Sequence, residues 1–299
     1  MNRYLISKGW EGFCDRLQCL SHCVNLALNY NRILYVDWED RIWSHGEGGF
    51  YRYFDLVDLP YITSAEQIPR DLEVFPPFWR HGLGLPVDEW VHKLKDELVF
   101  DPQEGKHYEA VWVHPGVGFR AFDFDQLPKH LRLNAEAAGE IKPLLEKAPP
   151  NLPVVHLRGT DRPLSEERWL AVRQAAPVAC VISDDAALVR RWLEESPDSV
   201  VFSDTLVEGQ TAGHKLGPQL LDKIGLDKHR MNIRLLADFI LLAAAKDAHA
   251  LNEESVFFKM ARLFGACGGV LALFQQAPEP TIIYDSEIRL SQPNAIFNK

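Results

Sequence analysis

The densest run of reactive side chains in the sequence is residues 154–166, VVHLRGTDRPLSE. An apolar stretch carries His156 and Arg158 at alternate positions, then breaks into Gly159-Thr160-Asp161-Arg162-Pro163. An arginine on a buried strand is costly unless paired, and its planar fork suits a phosphate or a carboxylate. Two readings follow for Arg158: a bound anion, or an internal pair with Asp161, Asp184 or Asp238. Two carboxylates here, Asp161 and Glu166, could do acid–base or nucleophilic work. The structural alternative for Glu166 is that it complements the dipole of the helix it opens.

Similar polar clusters close other apolar runs in this half: Ser183-Asp184-Asp185, Ser203-Asp204 and Asn252–Ser255. Ligands of open parallel sheets bind beyond the carboxyl ends of strands, so converging clusters of this kind read as a site. Asp238 lies in LLADFILLAAA with apolar neighbours on both sides. A carboxylate there needs a partner, either the edge of a nucleobase or a core pair with His156 or Arg158.

These side chains must be held by regular elements. Tyr4–Ser7 reads as a strand and Cys14–Tyr30 as a helix, with Leu17, Leu20, Val24 and Leu28 at helical spacing. Ile33–Asp37 is an all-apolar strand of the kind covered on both faces, completing a βαβ unit. Residues 38–105, rich in aromatics, Pro and Gly, read as loops with short helices. Tyr108–His114 is a further strand and Asn134–Lys147 a helix. APPNLP at 148–153 is the best boundary, with three prolines in six residues.

A second alternation follows it. Strand VVHLR leads to a helix at Ser165–Gln174, with Ser165 as N-cap, then a strand at Val178–Ser183 and a helix at Asp185–Glu195. Ser199–Ser203 is a strand, Met231–Ala245 a helix, Ala248–Asn252 a strand and Ser255–Phe264 a helix. Val270–Phe274 and Thr281–Tyr284 read as closing strands. The expected organisation is two α/β domains, residues 1–148 and 149–299.

Composition narrows the function. A formal net charge of −10 makes nucleic acid a poor partner, so any anionic ligand must be held by local cations. No segment is apolar and long enough to span a bilayer, and the start lacks a signal-peptide core. The expectation is a cytoplasmic protein, or one peripheral to the inner membrane. No G-x-G-x-x-G follows the first strand, and there is no Walker motif or serine elbow, which disfavours dehydrogenases and P-loop enzymes. Cys14, Cys19 and Cys23, with His22 nearby, match no zinc spacing and lack a fourth ligand, so they read as small buried thiols and no metal is assigned. Asp123-Phe124-Asp125 has the spacing of a metal-diphosphate motif but falls outside the second domain.

Four segments carry a family resemblance. GFCDRLQCLSHCVNLALNYNRILYVDW resembles the first βαβ of the α1,6-fucosyltransferases and their nodulation relatives. VVHLRGTDR is similar to that family's H-x-R-R-T-D-K strand end, and VISDDAALVRRWLEESPDSVVFSD to its T-D-D-P segment. LLADFILLAAAKDAHALNEESVFFKMARLF resembles its final segment, with an acidic residue before a Ser-Ser pair. The matches span about half the chain, in order. The resemblance implies a GT-B fold, two Rossmann-like domains with a cleft between them, and metal-free, inverting transfer of fucose from GDP-fucose to a glycan or glycolipid in polysaccharide biosynthesis.

It also implies that His156 and Asp238 contact the base, that Arg158 grips the diphosphate and that Ser255 is a phosphate contact at a helix N-terminus. Glu166 falls at the family's proposed base and Asp161-Arg162 at its Asp-Lys pair. Asp184 and Asp185 complete the expected donor site. Gly159, Glu254 and Cys14 depart from the pattern, replacing an Arg, a Ser and a Gly. A donor with one phosphate, such as CMP-Kdo transferred with retention, needs fewer cations. A non-catalytic sugar- or nucleotide-binding module and a different two-domain α/β enzyme are the remaining classes. The aromatics Trp38, Trp43, Tyr51, Tyr53, Phe78 and Trp79 of the first domain are candidates for holding the acceptor, with ordinary packing as the alternative.

Overall fold

The computed structural model describes residues 2–9, 12–40, 42–44, 48–85, 108–116, 124–158, 164–206, 221, 223, 225, 227–276, 281–282 and 289–290. The chain forms two compact units, Met1–Ala135 with Leu271–Lys299, and Glu136–Val270. The division expected at 148–149 therefore falls beyond a helix that groups with the second unit. The chain after residue 270 returns to the first.

The first unit is built on β1 (Tyr4–Lys8), α1 (Phe13–Tyr30) and β2 (Ile33–Asp37), close to the expected spans. Asn31 ends α1 in the left-handed region at φ 48°, which turns the chain directly into β2. β3 (Phe54–Leu56), β4 (Tyr61–Ile62), β5 (Val74–Phe75) and β6 (Val111–His114) follow. A short helix α2 (Leu127–His130) leads into β7 (Leu131–Leu133), which pairs antiparallel with β3. The larger sheet has the order β12-β13-β4-β2-β1-β6-β5, with β12 at Thr281–Ile282 and β13 at Arg289–Leu290. β4, β2, β1, β6 and β5 run parallel, and β13 is antiparallel to β4. The strands lie on both sides of β1, so the order reverses at its carboxyl end.

The expected aromatic platform of this unit is core instead. Trp38, Trp43, Tyr53 and Trp79 are all buried. Trp38 packs edge-on against Trp43, Phe50 and Phe54. Burial of these large rings is the main apolar contribution of the segment, which leaves their faces no room for a sugar. Tyr51 and Phe78 are half-buried, and the Tyr51 hydroxyl donates to the Ile62 carbonyl at 2.7 Å.

The second unit opens with α3 (Ala135–Leu145), whose Glu140 meets His229 at 2.9 Å. Then come β8 (Val154–Leu157), α4 (Glu166–Ala175), β9 (Cys180–Ser183), α5 (Ala186–Glu195) and β10 (Val200–Val201). α6 (Lys228–Ala244), β11 (Ala248–Ala250) and α7 (Val256–Ala266) complete it, and the boundary at Val270 falls inside α8 (Gly269–Leu273). The expected closing strand at 270–274 is thus the helix α8. A short apolar run has no decisive periodicity, and here it continues from α7 after a turn at Gly268, φ 76°.

The four strands are all parallel in the order β10-β9-β8-β11. Val155, Leu157, Val181, Trp169, Val172 and Trp192 form the core beneath them. α6 and α7 cross so closely that a Cβ on Gly265 would lie 2.0 Å from the Ala243 carbonyl oxygen, a space only glycine can occupy. The strand order reverses between β8 and β11, and the crevice of such a sheet opens at the carboxyl ends of those two strands.

Candidate active site

His156, Leu157 and Arg158 leave the carboxyl end of β8, at that reversal. His156 is buried at 5% exposure and pairs in register with Ala250 of β11 and Ile182 of β9. Its ring lies 5.4 Å from Phe257 of α7. Its Nδ1 has no hydrogen-bond partner among the described residues. Burial, and then the charge of Arg158, lowers its pKa to about 3, so the imidazole is neutral. A neutral buried ring with an open nitrogen is a selective hydrogen-bonding group. Arg158 lies just past the strand and is half-buried, not enclosed as its place in the apolar run suggested.

The strand ends are joined by a ladder of serines. Ser183 Oγ donates to the Leu157 carbonyl at 2.8 Å, and the Ser183 N–H donates to Ser203 Oγ at 3.0 Å. Ser203 Oγ in turn donates to Asp238 Oδ2 at 2.7 Å. Asp238 sits on α6 and is 9% exposed. Its pKa is pushed up to about 8, chiefly by burial, with Asp204 and Asp184 adding repulsion and Ser203 and Arg234 opposing them. Of the partners expected for this carboxylate, the structure supplies a serine that sequence reading had assigned no contact with it.

The other expected residues divide. Ser255 stands at the N-cap of α7, 5% exposed, yet its hydroxyl does not cap the helix and has no partner among the described residues. Asp185 is the N-cap of α5, and its Oδ1 accepts from the N–H groups of Ala187 and Leu188 at 2.9 and 3.1 Å, so that oxygen is engaged in the fold. Asp184 is half-buried beside it. Glu166, at the start of α4, is largely exposed and paired with Arg191 at 2.5 Å, which holds its carboxyl below the usual range. Ser165 caps α4 as expected, accepting from the Arg168 N–H at 3.1 Å. Asp161 and Arg162 lie outside the described residues, as does Asp123.

Glu254, the acidic departure noted in the sequence, and its neighbour Glu253 are each neutralised within the chain. Glu254 pairs with Lys259 at 2.5 Å and Glu253 with Arg168 at 2.6 Å. Arg168 also donates to the Ala250 carbonyl from Nε and Nη2 at 3.1 and 2.8 Å, fastening α4 to the end of β11. A cavity of about 280 Å³ lies there, between Leu164, Ser165 and Arg168 on one side and Leu251, Asn252 and Glu253 on the other.

The architecture is α/β of the GT-B type. No protein-family profile and no curated protein sequence matches the chain, but solved structures do. The chain shares the fold of the α1,6-fucosyltransferase NodZ. Against the NodZ structure soaked with GDP-fucose the TM-score is 0.59 at 19% identity, covering 88% of this chain and 92% of that one. The form co-crystallised with GDP gives 0.57 at 19% identity with the same coverage. Fucosyltransferase NodZ from Bradyrhizobium gives 0.57 at 18% identity, covering 88% and 93%. The fold expected from the four sequence segments is therefore the fold found.

Proposed function

We propose that the protein is a glycosyltransferase that takes a sugar from a nucleotide donor, with GDP-fucose as the favoured donor, and passes it to a glycan or glycolipid. The observation that carries this reading is that two buried polar atoms, His156 Nδ1 and Ser255 Oγ, have no hydrogen-bond partner among the described residues, in the same unit as the buried carboxyl of Asp238. Unsatisfied buried groups are costly in a folded protein and are expected where a ligand completes them. The fold's likeness to NodZ structures obtained with GDP and GDP-fucose makes a guanine nucleotide the first ligand to test.

In this reading Asp238 and His156 meet the base. Arg158 and Arg162 neutralise the diphosphate, with Ser255 donating to it at the start of α7. Asp184 closes the sugar side and Asp185 holds the turn behind it. Arg158 stabilises the charge that develops on the departing phosphate. Glu166 takes the acceptor proton after Arg191 releases it, Asp161 orients Arg162, and the configuration at the sugar inverts. No metal takes part, so a brief EDTA treatment leaves the rate unchanged. The first unit receives the acceptor.

The test is a thermal-shift and calorimetric screen with GDP, UDP, CMP and dTDP, followed by incubation with GDP-fucose and candidate glycans. Selective GDP binding together with fucose transfer is the expected result. Selective CMP binding would replace the donor, and tight binding without turnover would replace the enzyme by a binding module.

A further inference from the structure

We propose that Cys19, Cys23 and His114 form a site for a thiophilic d¹⁰ cation such as zinc, a structural clamp between α1 and the end of β6. The two cysteines lie four residues apart on one face of α1 and are fully buried. His114 ends β6, beside β1, and is equally enclosed. One ligand atom from each of the three lies within 4.8 Å of the others. Cys19 Sγ stands 3.8 Å from His114 Nδ1. Zinc bonds of about 2.3 Å to sulfur and about 2.0–2.1 Å to nitrogen, at the tetrahedral angle, place those two atoms roughly 3.6 Å apart. The observed edge needs only a small contraction.

The surroundings fit such a centre. Ser7 Oγ is 3.5 Å from Cys19 Sγ, so the fourth position falls to this hydroxyl or to a water. The Gly116 N–H donates to His114 Nδ1 at 3.2 Å, which puts the ring proton on Nε2; a metal on Nδ1 takes the same lone pair and displaces this N–H. Gly116 has φ 73°, and a Cβ there would lie 3.0 Å from the Lys8 carbonyl and 3.5 Å from Cys19 Sγ. Any side chain at that position would crowd the cradle. Half-buried His22, whose ring lies 5.0 Å from that of His114, marks the side nearest solvent. Binding converts both thiols to thiolates and releases their protons to solvent.

The site is independent of the transfer reaction and is tested without it. The full chain is produced with zinc in the medium, purified under reducing conditions without chelator, and exchanged into metal-free buffer. About one zinc per chain is expected by elemental analysis, falling at least about tenfold in Cys19→Ala and in Cys23→Ala. Cobalt in place of zinc should give a near-ultraviolet thiolate-to-cobalt band and the visible bands of a tetrahedral centre. Wild-type protein that retains no zinc overturns the site, as does zinc retained in full by both variants. If the variants do not fold, the cobalt spectrum of the wild type decides, and a spectrum without the thiolate band overturns the site.

Discussion

Ser203 Oγ donates to Asp238 Oδ2 over 2.7 Å, and this bond joins the end of β10 to a helix that otherwise presents apolar residues to the core. It is the last rung of a ladder that begins at the Leu157 carbonyl. An ionised carboxylate accepts from the donors of a nucleobase more strongly than the neutral acid does, and burial keeps the proton on Asp238 up to about pH 8. GDP affinity is therefore expected to rise between pH 6 and pH 8. Asp238→Asn should lose the pH dependence and about 10-fold or more in affinity, in line with hydrogen bonds to charged groups. Calorimetric titration at three pH values checks both, and a flat profile in the wild type counts against the contact.

The same group governs stability without ligand. Its folded pKa of about 8 lies above the ordinary 3.8, so the folded state binds more protons than the unfolded one between those values. Stability attributable to Asp238 is full below pH 4 and falls as pH rises toward 8. Asp238→Asn should flatten this slope and stabilise the free protein by about 1–3 kcal/mol at pH 8. Thermal unfolding of both proteins from pH 5 to pH 9 measures it. Parallel profiles would mean that Asp238 is already ionised in the folded protein.

Arg158 follows β8 and lies half-buried, close enough to His156 for its charge to lower that ring's pKa. Arg158→Ala should weaken nucleotide binding by about 30-fold or more, the scale of truncating one partner of a charge pair. The unfolding temperature should change little. Arg158→Lys should recover only part of the loss, because an ammonium cannot make the two-pronged contact. Equal GDP affinity in folded Arg158→Ala would remove the residue from the donor site.

At the matching strand ends of the first unit, Lys8 and Asp37 form an ion pair with both side chains buried. The Lys8 ammonium also donates to the Leu85 carbonyl at 2.7 Å, and its pKa is lowered by burial against the opposing pull of Asp37. Removing one partner leaves the other charged and dry. Asp37→Ala should cost about 3–5 kcal/mol, and a double replacement by apolar residues of similar volume should cost much less. Urea unfolding of the two variants makes the comparison. Equal losses would show that packing, not the stranded charge, sets the cost.

Periodicity made the strand–helix alternation legible, because α1, α4, α5, α6 and α7 each have a cap, an apolar stripe or both. It could not decide GVLAL at 269–273, where five apolar-rich residues suit a strand and a helix equally. Nor did it show that the chain returns to the first sheet through β13, since pairing with Tyr61 is a long-range choice. In the site, polarity inside apolar runs picked out His156 and Asp238. Ser203 stood out only as part of a polar cluster at a strand end, and nothing in the sequence joined it to Asp238. His114 could not be joined to Cys19 and Cys23 from spacing, as 95 residues separate the histidine from the nearer-bonded thiol.

Glu166 is the strictest test of the catalytic reading. It is exposed and held by Arg191 at 2.5 Å, and that cation lies 4.1 Å from the centre of the Trp169 ring. The pairing keeps Glu166 a weak base, so proton transfer requires Arg191 to swing away when the acceptor arrives. Three variants separate the roles. Glu166→Gln should cut the transfer rate by about 100-fold or more while GDP affinity stays the same, the usual scale for losing a general base. Arg191→Ala should leave the rate within a few-fold, because it frees the carboxylate that the reaction needs. Asp161→Ala should lower the rate without abolishing donor binding, and no sugar adduct should appear on the wild-type chain by intact mass. A fucose-sized mass increase on Asp161 would replace inversion by a covalent, retaining route. Near-normal transfer by Glu166→Gln would reduce its pair with Arg191 to a surface contact.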